Sequence, residues 1–283
     1  MTTEDQQTTG SQTFEKLFDY AGLFPPAGLS MQDTVVNFCD YLQQTHAWML
    51  NCMVVPASRL NEFAQVASEL HRDQPIALSV LSSDWLLDHE LIEQFRANHA
   101  GLASVISIES RQIEFAAAIK STVPRVYVEI PIAERLALNL TTLEEAGVHA
   151  KIRTGGLTAD AFPPNDHLAT FLMECCRQDI EFKATAGLHH PLARVRPASS
   201  SSDAPDVSMH GFVNLMVALE MAEQGGTADD VTSAIAMPED EAKTQWGAPE
   251  FWARLKGVRS RFHSIGSCSF TEPLEDLQTL GWL

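Results

Sequence analysis

Short β-rich apolar runs alternate with segments of helical period along most of this chain, and few architectures accept so regular an alternation. The runs are KLFDYAGLFPPA, WMLNCMVVP, PIALSVLSS, LASVISIES, RVYVEIP, HAKIRTGG and IEFKATAG, each followed by a helical or loop segment. WMLNCMVVP is continuously apolar, as a parallel strand covered on both faces requires. In the helix after the first run, Val35, Phe38, Cys39 and Leu42 share a face, and Ser30 is placed to cap its start. The rhythm breaks at RPASSSSDAP and resumes at RFHSIGSCSF, an eighth strand closed by the helix EPLEDLQTLGWL. Eight units in 283 residues predict a (β/α)8 barrel, the TIM barrel. An open doubly wound sheet is the alternative, but no Gly-rich phosphate fingerprint follows the first strand. Residues 1–12 are expected to be a disordered tail and 13–283 a single barrel domain. Residues 197–258, between strands seven and eight, are expected to be an insertion that covers the mouth as a lid.

Catalytic residues in such barrels come from the C-terminal strand ends. Lys151 and Lys183, two of only six lysines, stand at the ends of neighbouring strands six and seven. Parallel strands lie about 4.8 Å apart, and two ammonium groups that close, partly desolvated, depress each other's pKa. A lysine left neutral attacks a carbonyl and forms a Schiff base. The competing structural reading pairs each lysine with a carboxylate such as Glu129 or Glu109. Arg153 lies two residues beyond Lys151 and faces the same way, so a cationic cluster forms in a chain of net charge −18. Such a cluster calls for an anionic ligand or for a Lys/Arg–Glu network filling the barrel.

The motifs resemble those of deoxyribose-phosphate aldolase and its class I aldolase relatives. Lys151-Ile-Arg-Thr154-Gly155 stands where that family has Lys-x-x-Thr-Gly, and Phe182-Lys183-Ala-Thr-Ala-Gly187 approximates its Phe-Lys-x-x-Gly. FDYAGLFPP, NCMVVP, VYVEIP and SIGSCSF follow in the family's order. The resemblance implies a carbon–carbon lyase with Lys151 as the Schiff-base lysine and Lys183 as the neighbour that lowers its pKa. Glu109 or Asp19 would shuttle protons, and Glu129 would hold Lys183. Arg153, Thr154, Gly155, Thr185, Gly187, His189, Gly266 and Ser267 would bind substrate, with backbone N–H groups near Gly187, Gly266 and Ser267 cradling an anion. No metal or organic cofactor is implied. The chain departs from the family where strand four reads SVISIES instead of carrying the catalytic aspartate. It also has Tyr20 for a histidine, and LHHP after Gly187.

Two other classes of function compete. His189, His190 and His210 with Asp19, Glu109 or Glu129 could hold a metal ion for a lyase or hydrolase. Alternatively the barrel is a non-catalytic binding protein, and GFVNLMVALEMA an amphipathic helix that joins two copies into a homo-oligomer. The partner expected in the first case is a small, anionic molecule. The acidic surface repels nucleic acid. No apolar run reaches the roughly 20 residues of a membrane span. The opening MTTEDQQTTGSQ does not read as a signal or transit peptide, and five cysteines without a disulfide-like or zinc-like pattern fit a reducing compartment, so a cytoplasmic location is expected.

Overall fold

A computed structural model describes residues 12–70, 74–121, 123–197 and 206–283. Residues 1–11 of the expected tail lie outside them. Parallel strands β1 (Phe18–Tyr20), β2 (Leu50–Pro56), β3 (Ile76–Leu81), β4 (Ala103–Ser110), β5 (Arg125–Glu129), β6 (His149–Arg153) and β7 (Phe182–Thr185) stand side by side. An antiparallel hairpin, β8 (Arg194–Pro197) and β9 (Asp206–Met209), lies apart from them. β10 (Phe262–Ser267) then pairs with both β7 and β1 and closes an eight-stranded barrel.

The helices α1 (Met31–Tyr41), α2 (Leu60–Ser68), α3 (Trp85–Asn98), α4 (Ala116–Lys120), α5 (Leu136–Ala146) and α6 (Asn165–Arg177) connect successive strands. Their apolar faces cover the outside of the barrel, which is why strands such as β2 read as unbroken apolar runs. α1 begins as its sequence suggests, with Ser30 Oγ accepting from the Asp33 amide at 3.0 Å. α5 ends on Gly147, whose φ of +66° suits the left-handed cap.

Among the described residues of the segment 197–258, expected as a lid, residues 212–258 are helices that pack beside the barrel. α7 (Phe212–Glu223) is buried at every position from Phe212 to Glu220, so it has no polar face to turn to solvent. Its Phe212 meets Phe14 and Phe18 edge to face, with ring centroids 6.2 and 5.6 Å apart. α8 (Ala228–Ala236), α6 and α10 (Pro249–Val258) pack around it, with α9 (Glu239–Gln245) following α8. α7 is thus the ring helix between β7 and β10 under a second helical layer, and the same burial removes it as a joining surface between copies. Among the described residues of this segment, Met209 of β9 lines the cavity described below. α11 (Thr271–Thr279) completes the ring. Among the described residues no helix is long and apolar enough to cross a membrane.

Candidate active site

The C-terminal strand ends open into a cavity of about 560 Å³, a size suited to a small ligand. Its wall includes Glu109 from β4, Glu129 from β5, Lys151 and Arg153 from β6, Thr185 from β7 and Gly266 from β10. Strand register explains the convergence, because Glu129 is the partner of Lys151 across β5–β6 and Lys151 is the partner of Lys183 across β6–β7. Side chains in register on one face of a sheet are neighbours.

The ionised groups form a row of alternating sign that runs from the closed interior to solvent. Lys183, wholly buried, is clamped by Asp19 Oδ2 and lies 2.7 Å from Glu109 Oε1. The other oxygen of Glu109 is 2.6 Å from Lys151 Nζ, and Lys151 is 3.1 Å from Glu129 Oε2. Glu129 in turn accepts from Arg111 Nε at 2.9 Å, and the Arg111 side chain is 69% exposed. Neutral groups satisfy the remaining lone pairs. Asn51, Cys52 and Ser264 reach Asp19, while Ser79 donates to Glu109 and is itself bonded by Ser107.

This arrangement corrects the expected role of Lys183. Burial pushes its pKa down, but Asp19 and Glu109 outweigh that, and the result lies well above the ordinary lysine value. The Glu109 carboxylate stands between the two amines, so bare like-charge repulsion is not what acts on Lys183. Nor is Lys183 held by Glu129, which pairs with Lys151 instead. Burial would raise the pKa of Glu109, yet the two ammonium groups hold its carboxyl far below the usual carboxylate range. Burial next to Asp19 keeps the Cys52 thiol protonated.

The expected substrate-binding residues divide in two. Arg153, Thr185, Gly187, His189 and Gly266 line the cavity. Thr154, Gly155 and Ser267 build its frame. Thr154 Oγ1 donates to the Ala186 carbonyl at 2.6 Å, and Ser267 Oγ to the Ser269 carbonyl at 2.7 Å. Gly155 and Gly187 touch through their backbones, and a Cβ on Gly187, whose φ is +77°, would lie 2.8 Å from Gly155 Cα. The histidines of the metal alternative do not converge. His189 Nδ1 pairs with Glu272 at 3.1 Å, His190 Nδ1 with Asp276 at 2.7 Å, and His210 Nε2 with the Pro163 carbonyl at 2.9 Å.

Sequence reasoning missed Arg111, which follows β4 and ends the ionic row. Its signal was present, since Ser107, Glu109 and Arg111 recur at the period of two that a strand gives to one face. It also missed Tyr127, whose ring lies 5.3 Å from Lys183 Nζ.

No family model matches the chain, and no curated protein matches it. Among solved structures, a dihydropteroate synthase from Xanthomonas albilineans, in complex with indole-2-carboxylic acid and 6-chloroguanine, is similar over 95% of this chain and 93% of its own. The identity is 10% and the TM-score 0.42.

Proposed function

We propose that the protein is a carbon–carbon lyase of the class I aldolase type, in which Lys151 forms a Schiff base with a small anionic carbonyl compound. The observation that carries this reading is the position of the Lys151 amine. It ends on the cavity wall while lying 3.1 Å from a carboxylate, Glu129, that also lines the cavity. Lys183 is excluded from that role by its complete burial and its raised pKa.

The ammonium of Lys151 first hands a proton to Glu129, and the free amine attacks the carbonyl carbon. Glu129 returns that proton to the hydroxyl of the carbinolamine, which leaves as water and gives an iminium. Cleavage then sends the electrons of the carbon–carbon bond into the iminium, while the substrate's hydroxyl proton goes to Glu129. An aldehyde leaves, the enamine takes a proton back, and hydrolysis frees Lys151. Glu109, held ionised by the two ammonium groups, stabilises the cationic intermediates. Arg153 and Arg111, beside Lys151 and Glu129, supply positive charge for the anionic end of the substrate.

The test is borohydride reduction in the presence of a panel of neutral and anionic aldehydes and ketones, followed by peptide mass mapping. A reduced adduct on the Lys151 peptide, absent from Lys151→Met, is the expected result. Cleavage activity without any adduct would overturn the imine route and leave Lys151 as a charged partner of an enolate. Neither adduct nor turnover would favour a binding protein.

A further inference from the structure

At the opposite, N-terminal end of the barrel lies a cluster that neither the cavity nor the ionic row uses. His149 opens β6, Glu181 lies one residue before β7, and His263 is the second residue of β10, so three neighbouring strands contribute one side chain each. One donor atom from each lies within 4.8 Å of the other two, and no other group of this kind occurs among the described residues. His263 Nε2 is 2.7 Å from Glu181 Oε2, and His149 Nδ1 is 3.4 Å from the same oxygen. The two rings meet edge to face with centroids 5.0 Å apart, and each turns one nitrogen to Glu181 Oε2. Behind them the Tyr127 hydroxyl bonds His263 Nδ1 at 2.9 Å.

We propose that His149, Glu181 and His263 form a binding site for a divalent transition-metal ion. Bonds of about 2.0–2.1 Å in a tetrahedral site place neighbouring donors about 3.3–3.5 Å apart. The His149–Glu181 edge already has that length, and the His263–Glu181 edge reaches it when the metal replaces a hydrogen bond. The ring proton of His263 then moves to Nδ1, where it donates to the Tyr127 oxygen, the kind of outer contact that orients a ligating imidazole. Two imidazoles and a carboxylate suit zinc, cobalt or nickel better than magnesium or calcium, which prefer oxygen alone. Three protein donors leave a fourth position for water, and Glu181, with its side chain 45% exposed, gives the ion a way in. Lys120, Arg125 and Arg259 act on the two rings as cations and oppose a second positive charge, which limits the affinity. The ion would fasten the starts of β6, β7 and β10, on the barrel face that serves stability.

The experiment uses the full chain, stripped with a chelator and titrated with Zn²⁺ while binding and the thermal midpoint are followed. One Zn²⁺ per chain and a rise in the midpoint are expected, with no rise from Mg²⁺. Co²⁺ should give the visible absorption of a nitrogen- and oxygen-bound ion. His149→Gln and Glu181→Gln, both at positions partly open to solvent, should each weaken Zn²⁺ binding by at least about tenfold. His190→Gln, at the other end of the barrel, should leave it unchanged. Absence of saturable Zn²⁺ binding, or binding that survives in His149→Gln and Glu181→Gln, overturns the proposal.

Discussion

At the C-terminal end of the barrel three carboxylates face three cations in alternation, whereas at the N-terminal end two imidazoles share one carboxylate oxygen. Tyr127 stands between them, its ring beneath Lys183 and its hydroxyl on His263. The difference lies in how each end disposes of charge. Along the row at the mouth each ionised group is matched by a neighbour of opposite sign, so its burial is compensated. At the base, burial and the nearby cations push His149 down to about 4 and His263 down to about 3, so both rings are neutral near pH 7 and keep a lone pair each. One end holds paired charges, and the other offers electron pairs.

The sharpest way to break this contrast is to remove the innermost cation. Lys183→Met leaves Asp19 and Glu109 buried and facing each other, and is expected to lower stability by about 3–5 kcal/mol in urea unfolding. Glu181→Gln at the base, half-exposed and without a second carboxylate beside it, should cost less than about 1 kcal/mol. Equal losses would show that alternation at the mouth is not what stabilises it.

Gly187→Ala probes the frame of the mouth alone. Its Cβ would meet Gly155 Cα and the Thr154 carbonyl at 2.8 Å. A loss of about 1–3 kcal/mol is expected, read as a lower thermal midpoint. Acidification separates the ends further. Glu109 ionises near its ordinary 4.5 in the unfolded chain but well below that in the fold. Its contribution is therefore complete above the unfolded value and is lost as pH falls towards the folded one. The stability gap between the wild type and Glu109→Gln should shrink steadily from about pH 5 to about pH 3, and a constant gap would contradict the assigned pairing. The smallest expected effect is that of Tyr127→Phe, which keeps the ring under Lys183 and removes only the bond to His263. About 1 kcal/mol should be lost, with imine formation on Lys151 unchanged and Zn²⁺ affinity reduced.

The barrel was legible because doubly covered strands and one-faced helices write their periods into the sequence. Lys151, Arg153 and Lys183 were legible for the same reason, since a strand sends alternate residues to one face. The partners of the lysines were harder to read. That Glu109 bridges both lysines while Asp19 holds only one depends on distances across the closed barrel, which no local pattern encodes. Phe212, Leu215, Met216 and Leu219 fit a one-faced helix, whereas Val213, Val217 and Ala218 on the other sides of α7 make it apolar all round, the mark of a buried helix. His149 and Glu181 each lie two residues before an inward lysine, so their direction could have been inferred. Their meeting with His263 could not, because β10 shifts register against β7 between Phe262 and Ile265.

The alternation at the mouth has a consequence for how this chain can change over time. Swapping a single interior member of the row strands an opposite neighbour, while trading two adjacent members together leaves the count even. Substitutions at 19, 109, 151 and 183 should therefore travel in couples among related chains, and a directed-evolution library that randomises these positions one by one should return few survivors where a paired library returns many.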